Sequence, residues 1–351
     1  MPSMNNLQIL GQIDVQQFWP TGSSDADTTK LMVQVAPGSF RIKLAGSSTH
    51  EPTNAYEKAF MYGEKNKQGV RKKERLINSK GQITVRLQRV DAPELHINPG
   101  PIKGKSLKGT GLFVEYRQRQ AETGTVALRK FLQKQAGSDG LLPCVFDSNL
   151  PEGTGPGEVV DKYGRFVGDI MIGSGTKRVN LNLWLLEQGW AIVALYDSML
   201  AHEIDESLKA WKSGKGKGSR THYRSKFEPF ELLTFREPVA TVQDEGDKKF
   251  IHPKYFRRYV TWYAHSKAGN LSGDFPDYLE SRAEDVYELD EFLAALKAGK
   301  TKPDNIYPLY DRSADGDGVS WKPKQFIFLE APSTVYSDAS GKDAKLTKSD
   351  W

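Results

Sequence analysis

The chain of 351 residues has a single cysteine, Cys144, so no disulfide can form within it. Its neighbours, Leu141 to Phe146, read as a buried strand, which makes the thiol a small packing group. The six histidines show no metal-ligand spacing. His202 and Glu203 begin a His-Glu-x-x-His pattern, but Glu206 stands where the second histidine is needed, which excludes that zinc-protease motif. No apolar run is long enough to span a membrane. The first seven residues have no basic segment, and no apolar stretch follows them, so no secretory leader is read and a cytoplasmic location is expected. Secretion after removal of a leader is the alternative. There is no internal repeat. Nor is there a large excess of one charge: the net charge is +5 and the pI about 8.9, which suits a polyanionic partner without requiring one.

What is present is an ordinary globular composition, 38% apolar and 26% charged, over a length that suggests about two domains. Alternating apolar residues predict strands over 7–19, 31–35 and 83–90, with further strands near 145, over 166–172 and over 191–196. Helical spacing predicts helices over 116–135, 179–188 and 201–211. Five or so strands with three helices suit a small closed barrel. The hydrophilic stretch from about 45 to 80 is longer than a hairpin needs and reads as an insertion. Glycines and lysines at 213–219 break the periodicity and mark a boundary, so we expect one domain over 1–223 and an extension over 224–351. In the extension, 254–263 and 283–297 read as helices, and 325–329 and 334–336 as strands.

Chemistry concentrates in two short segments. Residues 85–94 place Arg86, Asp91 and Glu94 at the end of one strand, which Pro93 stops. Residues 161–165 (Asp-Lys-Tyr-Gly-Arg) place Arg165 beyond a glycine turn. Two guanidinium forks can clamp phosphate oxygens, and carboxylates offer a hard cation its oxygen ligands. The combination points to phosphodiester chemistry. Taken singly, each segment is commonplace, a strand-ending turn and a solvated hairpin tip. Arg89 alternates away from Arg86 and reads as a surface residue.

In this order, and with the helix over 179–188 and His202-Glu203 beyond, these segments resemble the staphylococcal nuclease (thermonuclease) family over roughly residues 5–223. Asp25-Ala26-Asp27-Thr28 is similar to that family's Asp-Gly-Asp-Thr segment. The resemblance implies an α+β fold: a five-stranded OB barrel with three helices. It implies calcium as cofactor, held by Asp27, Asp91 and the carbonyl of Ala92. Glu94 would orient or deprotonate the attacking water. Arg86 and Arg165 would hold the scissile phosphate, and Lys162 and Tyr163 would touch the nucleotide. The implied activity is an endonuclease cutting DNA or RNA with little sequence preference and leaving 5′-hydroxyl and 3′-phosphate ends. A catalytically silent nucleic-acid binder, or a scaffold working through its extension, is the alternative. The chain departs from the family at Ala92, commonly Thr, at Ala26, commonly Gly, and in the insertion.

Weaker signals each carry two readings. Lys103, Lys105 and Lys108, the run Arg71–Lys73, and Lys215 with Lys217 either follow a nucleic-acid backbone or are solvated. The aromatic and basic stretch 250–263 either stacks on bases, with Arg257 and Arg258 on phosphate, or is a core helix with exposed arginines. Residues 311–318 resemble half of a calcium loop, but Lys322 stands where the closing glutamate belongs, so a plain Asp/Gly turn is expected.

Overall fold

In the computed structural model the described residues are 4–33, 38–53, 76–152, 156–161, 163–228, 232–234, 250–282, 284–315, 318–320, 322, 325–329, 335–336 and 347–348. The chain packs into two compact units, one of residues 1–88, 129–184 and 330–351, the other of 89–128 and 185–329. Each is built from separated chain segments.

The first unit is a closed barrel of five strands, β1 (Met4–Asp14), β2 (Thr28–Val33), β3 (Gln82–Leu87), β4 (Leu141–Pro151) and β5 (Phe166–Ile172). β1 pairs antiparallel with β2, β2 with β3, β4 with β5, and β4 back with β1, while β3 and β5 run parallel and complete the ring. Strict alternation drives closure. Leu7, Ile9 and Ile13 of β1, Leu31 of β2, Ile83 and Val85 of β3, and Phe146 of β4 are wholly or almost wholly buried, while their neighbours face outward. Cys144 packs in β4, and burial pushes its thiol pKa up, as an inert thiol requires. Within the expected insertion, Glu51–Pro52 pairs with Phe40–Lys43, a strand before it that also pairs with β1. Residues 54–75, including Arg71–Lys73, lie outside the described residues.

The second unit holds helix α3 (Ala201–Ser213) and, further on, α4 (Pro253–Lys267), α5 (Phe275–Glu280) and α6 (Leu289–Lys297). Helices α1 (Ala121–Gln133) and α2 (Leu181–Glu187) each pass from one unit to the other along the chain. A three-stranded antiparallel sheet places β6 (Asp285–Glu288) between β7 (Tyr307–Pro308) and β8 (Phe326–Phe328). One apolar cluster contains Ile102 and Tyr116 together with Leu232, Ile251, Tyr255, Phe256, Phe275 and Phe328. Residues beyond 224 therefore share a core with residues near 100. Backbone pairing says the same: Tyr116–Arg117 pairs with Leu233–Thr234, and the Phe328 amide donates to the Leu195 carbonyl at 2.8 Å.

Three sequence expectations change here. The helix expected over 116–135 begins only at Ala121, because Tyr116–Arg117 is drawn into pairing with Leu233–Thr234. The helix expected over 283–297 is the strand β6 followed by α6. Arg89 is not on the surface. β3 ends at Leu87, Arg89 turns to a φ of 72°, and its guanidinium is buried against Glu203 at 3.1 Å and Glu206 at 3.0 Å. Glu203 also accepts the Leu200 amide at 2.8 Å, so one carboxylate both caps α3 and neutralises Arg89. Removing Arg89 would leave Glu203 as an uncompensated buried charge. Arg89→Ala is expected to lower unfolding free energy by about 3–5 kcal/mol in urea titrations. A loss below about 1 kcal/mol would show that the pair does not hold this corner.

Candidate active site

The barrel topology gathers three of the expected residues at one end of the first unit. Asp27 immediately precedes β2, and Thr28 stands opposite Arg86 on β3. Arg86 in turn stands opposite Val167 on β5, two residues after Arg165. Because β2 runs against β3 while β5 runs with it, the start of β2, the end of β3 and the start of β5 meet at one rim. The alternation that buries Val85 and Leu87 turns Arg86 to the outer face, half-buried. Asp27 is buried, accepts the Thr28 hydroxyl at 3.1 Å, and its carbonyl accepts the Leu87 amide at 2.8 Å. Ala26, where the family commonly has glycine, is buried and does not take a left-handed conformation. The substitution therefore costs this turn nothing.

The turn before β5 is built around Asp161. Its Oδ1 accepts the amides of Tyr163 at 2.8 Å and Arg165 at 3.0 Å, the Asx-turn geometry. Its Oδ2 accepts the Arg165 Nε at 2.8 Å and lies 2.8 Å from an Arg165 terminal nitrogen. Gly164, at φ 81°, supplies the left-handed residue that lets the chain return. The Arg165 guanidinium lies 5.2 Å from the centroid of the exposed Tyr163 ring. The turn thus holds Arg165 in place while presenting a flat aromatic surface to solvent. Lys162 lies outside the described residues.

Asp91, Ala92 and Glu94 belong to the second unit. Val90–Asp91 pairs with Ile192–Val193, which buries Asp91 and Ala92. Gln118 clamps the next step. It accepts the Glu94 amide at 3.1 Å, donates its own amide to the Glu94 carbonyl at 2.6 Å, and gives its side-chain NH2 to the Ile251 carbonyl. That last bond fixes the entry to α4, whose first turn is capped by His252 accepting the Lys254 amide at 3.1 Å, with Pro253 as the first helical residue.

One turn into α4 stands Arg257, a residue weighed from sequence for phosphate contact but not as a partner of the expected site. Its two terminal nitrogens each lie 3.3 Å from one oxygen of the Asp91 carboxylate, and one of them also donates to Glu94. The His252 Nδ1 is 3.7 Å from Asp91, but complete burial drives the imidazole pKa well below its ordinary value, against the pull of Asp91, so the ring is neutral there. Arg258, the next residue, pairs with Glu284. The stretch 250–263 is therefore a core helix whose arginines are engaged in ion pairs, not exposed. Nothing local marks Arg257 as Asp91's partner, since 166 residues separate them. The usable signal was the general rule that a buried carboxylate needs a counter-charge.

Of the weaker candidates, Lys103, Lys105 and Lys108 lie exposed on a loop anchored by buried Ile102 and Leu107, and Lys215 and Lys217 are exposed after α3. Residues 314–315 pair antiparallel with 318–319, and Gly316 and Asp317 between them lie outside the described residues.

A closed five-strand barrel with an arginine-bearing rim and helices is the OB architecture of nuclease-like and nucleic-acid-binding domains. Residues 84–219 match the family model described as staphylococcal nuclease homologue. The match takes in Arg86, Asp91, Ala92, Glu94, Tyr163 and Arg165, and leaves out Asp27 and Arg257. Comparison with curated proteins gave no match. Members of the family are generally nucleases and typically use calcium. The donors of the second unit suit such a hard cation in kind, a buried carboxylate beside a backbone carbonyl. Among the described residues, however, no three His, Cys, Asp or Glu side chains are grouped so as to hold a metal ion, and the Asp91 carboxylate is taken up by Arg257. Nor is any helix among them long and apolar enough to cross a membrane.

Proposed function

We propose that this protein is a calcium-dependent nuclease that hydrolyses DNA or RNA phosphodiester bonds with little sequence preference, leaving 5′-hydroxyl and 3′-phosphate ends. The observation that carries the reading is the rim arginine pair, Arg86 on β3 and Arg165 locked by Asp161, within a domain of nuclease kind. Attack of water on a phosphodiester concentrates negative charge on the equatorial oxygens. Guanidinium groups fixed in advance stabilise that charge more than they stabilise the ground state. In this reading Arg86 and Arg165 hold the phosphate, Glu94 orients the water or takes its proton, and Tyr163 and Lys162 contact the nucleotide. Asp27, Asp91 and the Ala92 carbonyl would hold the calcium ion, which supplies further positive charge to the phosphate when bound. The division by role, with the phosphodiester chemistry in residues 1–223 and an extension over 224–351 that shares a core with residues near 100, belongs to the same proposal.

A second reading has its own support. Arg257 engages both Asp91 and Glu94, the arrangement expected of a domain that binds nucleic acid without cutting it. Incubating plasmid DNA and total RNA with the protein, in calcium and then in excess chelator, separates the two. Calcium-dependent degradation is expected; intact substrate together with retained binding would leave the silent binder.

Asp161 offers a subtler test. Asp161→Ala removes the acceptor that orients Arg165 without removing the arginine. Cleavage should fall by about 10- to 100-fold, since a misplacement of about 1 Å in a positioning group is worth up to about that much. The barrel's circular dichroism should stay unchanged. Full activity in that variant would show that the turn does not position Arg165 for catalysis.

A further inference from the structure

The Asp91 carboxylate is the most buried acid of the proposed site, and its bonding partner comes from outside the family match. Arg257 takes both of its oxygens with a two-pronged fork and reaches Glu94 with the same guanidinium. The contact is held from both sides. Gln118 ties the Glu94 backbone to Ile251, and α4 starts two residues later. The fork is therefore a built feature of the second unit, not a chance meeting of surface chains. Asp91 is 2% exposed at its side chain and Glu94 13%, while Arg257 is 32% exposed, so the arginine is the most accessible of the three.

A hard cation bound by Asp91 draws on the same two oxygens that the fork occupies. A divalent ion and a guanidinium also repel each other at such separations. The fork takes one acceptor position on each Asp91 oxygen, so a cation joining it there would bind against a fixed positive neighbour. Resting on the calcium reading above, we infer that Arg257 is a resident counter-ion for Asp91 and Glu94 that competes with the divalent cation for the Asp91 carboxylate. The extension thereby sets how much cation the site requires. Arg257 is a positioning residue in this scheme: without the cation it keeps two carboxylates in order that would otherwise repel, and the cation takes Asp91 only as the fork turns away. Charge-assisted hydrogen bonds of this kind are strong enough to weaken cation binding about tenfold.

Calcium binding to the full chain, measured by isothermal titration calorimetry, tests this without relying on turnover. Arg257→Gln should bind calcium about tenfold more tightly than the wild-type protein. Arg257→Lys keeps the charge but loses the fork, and should fall between them. Without calcium, Arg257→Gln should melt below the wild-type protein, and calcium should raise its melting temperature by more. Equal or weaker calcium binding by Arg257→Gln, alongside measurable binding by the wild type, would overturn the competition and leave the calcium reading standing. If neither protein takes up calcium at millimolar concentration, both fall. Should Arg257→Gln not fold, Arg257→Lys decides: tighter binding than wild type supports the competition, and unchanged binding overturns it.

Discussion

Replacing either Arg86 or Arg165 with alanine is expected to lower phosphodiester cleavage by about a thousandfold while leaving the fold intact. The size follows from what each guanidinium is asked to do. Loss of a single preorganised hydrogen-bond donor to developing negative charge costs about 10²–10³ in rate, and an arginine acting on a transferring phosphoryl group is worth about 10³–10⁵. The harmless effect on folding follows from location. Arg86 lies on the outer face of β3, between Val85 and Leu87, which carry the core packing. Arg165 sits in a turn whose Asp161 keeps its two backbone amide bonds when the guanidinium is gone. Initial rates on a labelled oligonucleotide, with melting curves on the same samples, measure both. Rates within threefold of the wild-type protein would remove that arginine from the mechanism.

Deleting residues 225–351 should have the opposite signature: loss of fold first, and of activity with it. Reading the sequence as a nuclease domain followed by an appendage suggests that the first 224 residues stand alone. The second unit's core is made jointly, however. Ile102 and Tyr116 pack in one cluster with Leu232, Ile251, Phe256, Phe275 and Phe328. The Gly100 carbonyl bonds the His265 ring nitrogen at 2.9 Å, and the Gly100 amide donates to Thr261 at 3.1 Å. Each large apolar side chain in such a cluster contributes about 1.5–3 kcal/mol, against a total stability of about 5–15 kcal/mol for a domain. Exposing the stub of this core therefore exceeds what the remainder can offset. The fragment is expected to aggregate, or to lack near-ultraviolet circular dichroism and bind hydrophobic dyes. A soluble fragment with the full chain's melting temperature would contradict the shared core.

The parts of the fold that sequence revealed are those fixed by local pattern. The strand over 166–172 was legible to the residue, because apolar alternation sits between a glycine turn and another glycine. The closed barrel and the Asp161–Arg165 turn were legible for the same reason, helped by a resemblance whose two segments come in a fixed order. What sequence did not reveal depends on partners far along the chain. Tyr116–Arg117 has helical neighbours on one side, and pairing with Leu233–Thr234 and with Ile97 makes it a strand. Asp285–Glu288 carries charges that suit a helix, but Val286 and Tyr287 are buried in the sheet beside β8. Arg89 follows a strand and alternates outward on paper; its positive φ and the distant pair Glu203 and Glu206 turn it inward. Arg257 is the same lesson at the candidate site: its helix was readable, while its place on Asp91 and Glu94 was not.

The most direct measurement of the central claim is end-group analysis of a short single-stranded oligonucleotide after incubation with the full chain in calcium, with Arg165→Ala and a chelator as controls. Calcium-dependent fragments carrying 3′-phosphate and 5′-hydroxyl ends, absent in both controls, are predicted. An oligonucleotide that stays intact under all conditions, or fragments formed equally by Arg165→Ala, would contradict the assignment of this barrel rim to phosphodiester hydrolysis.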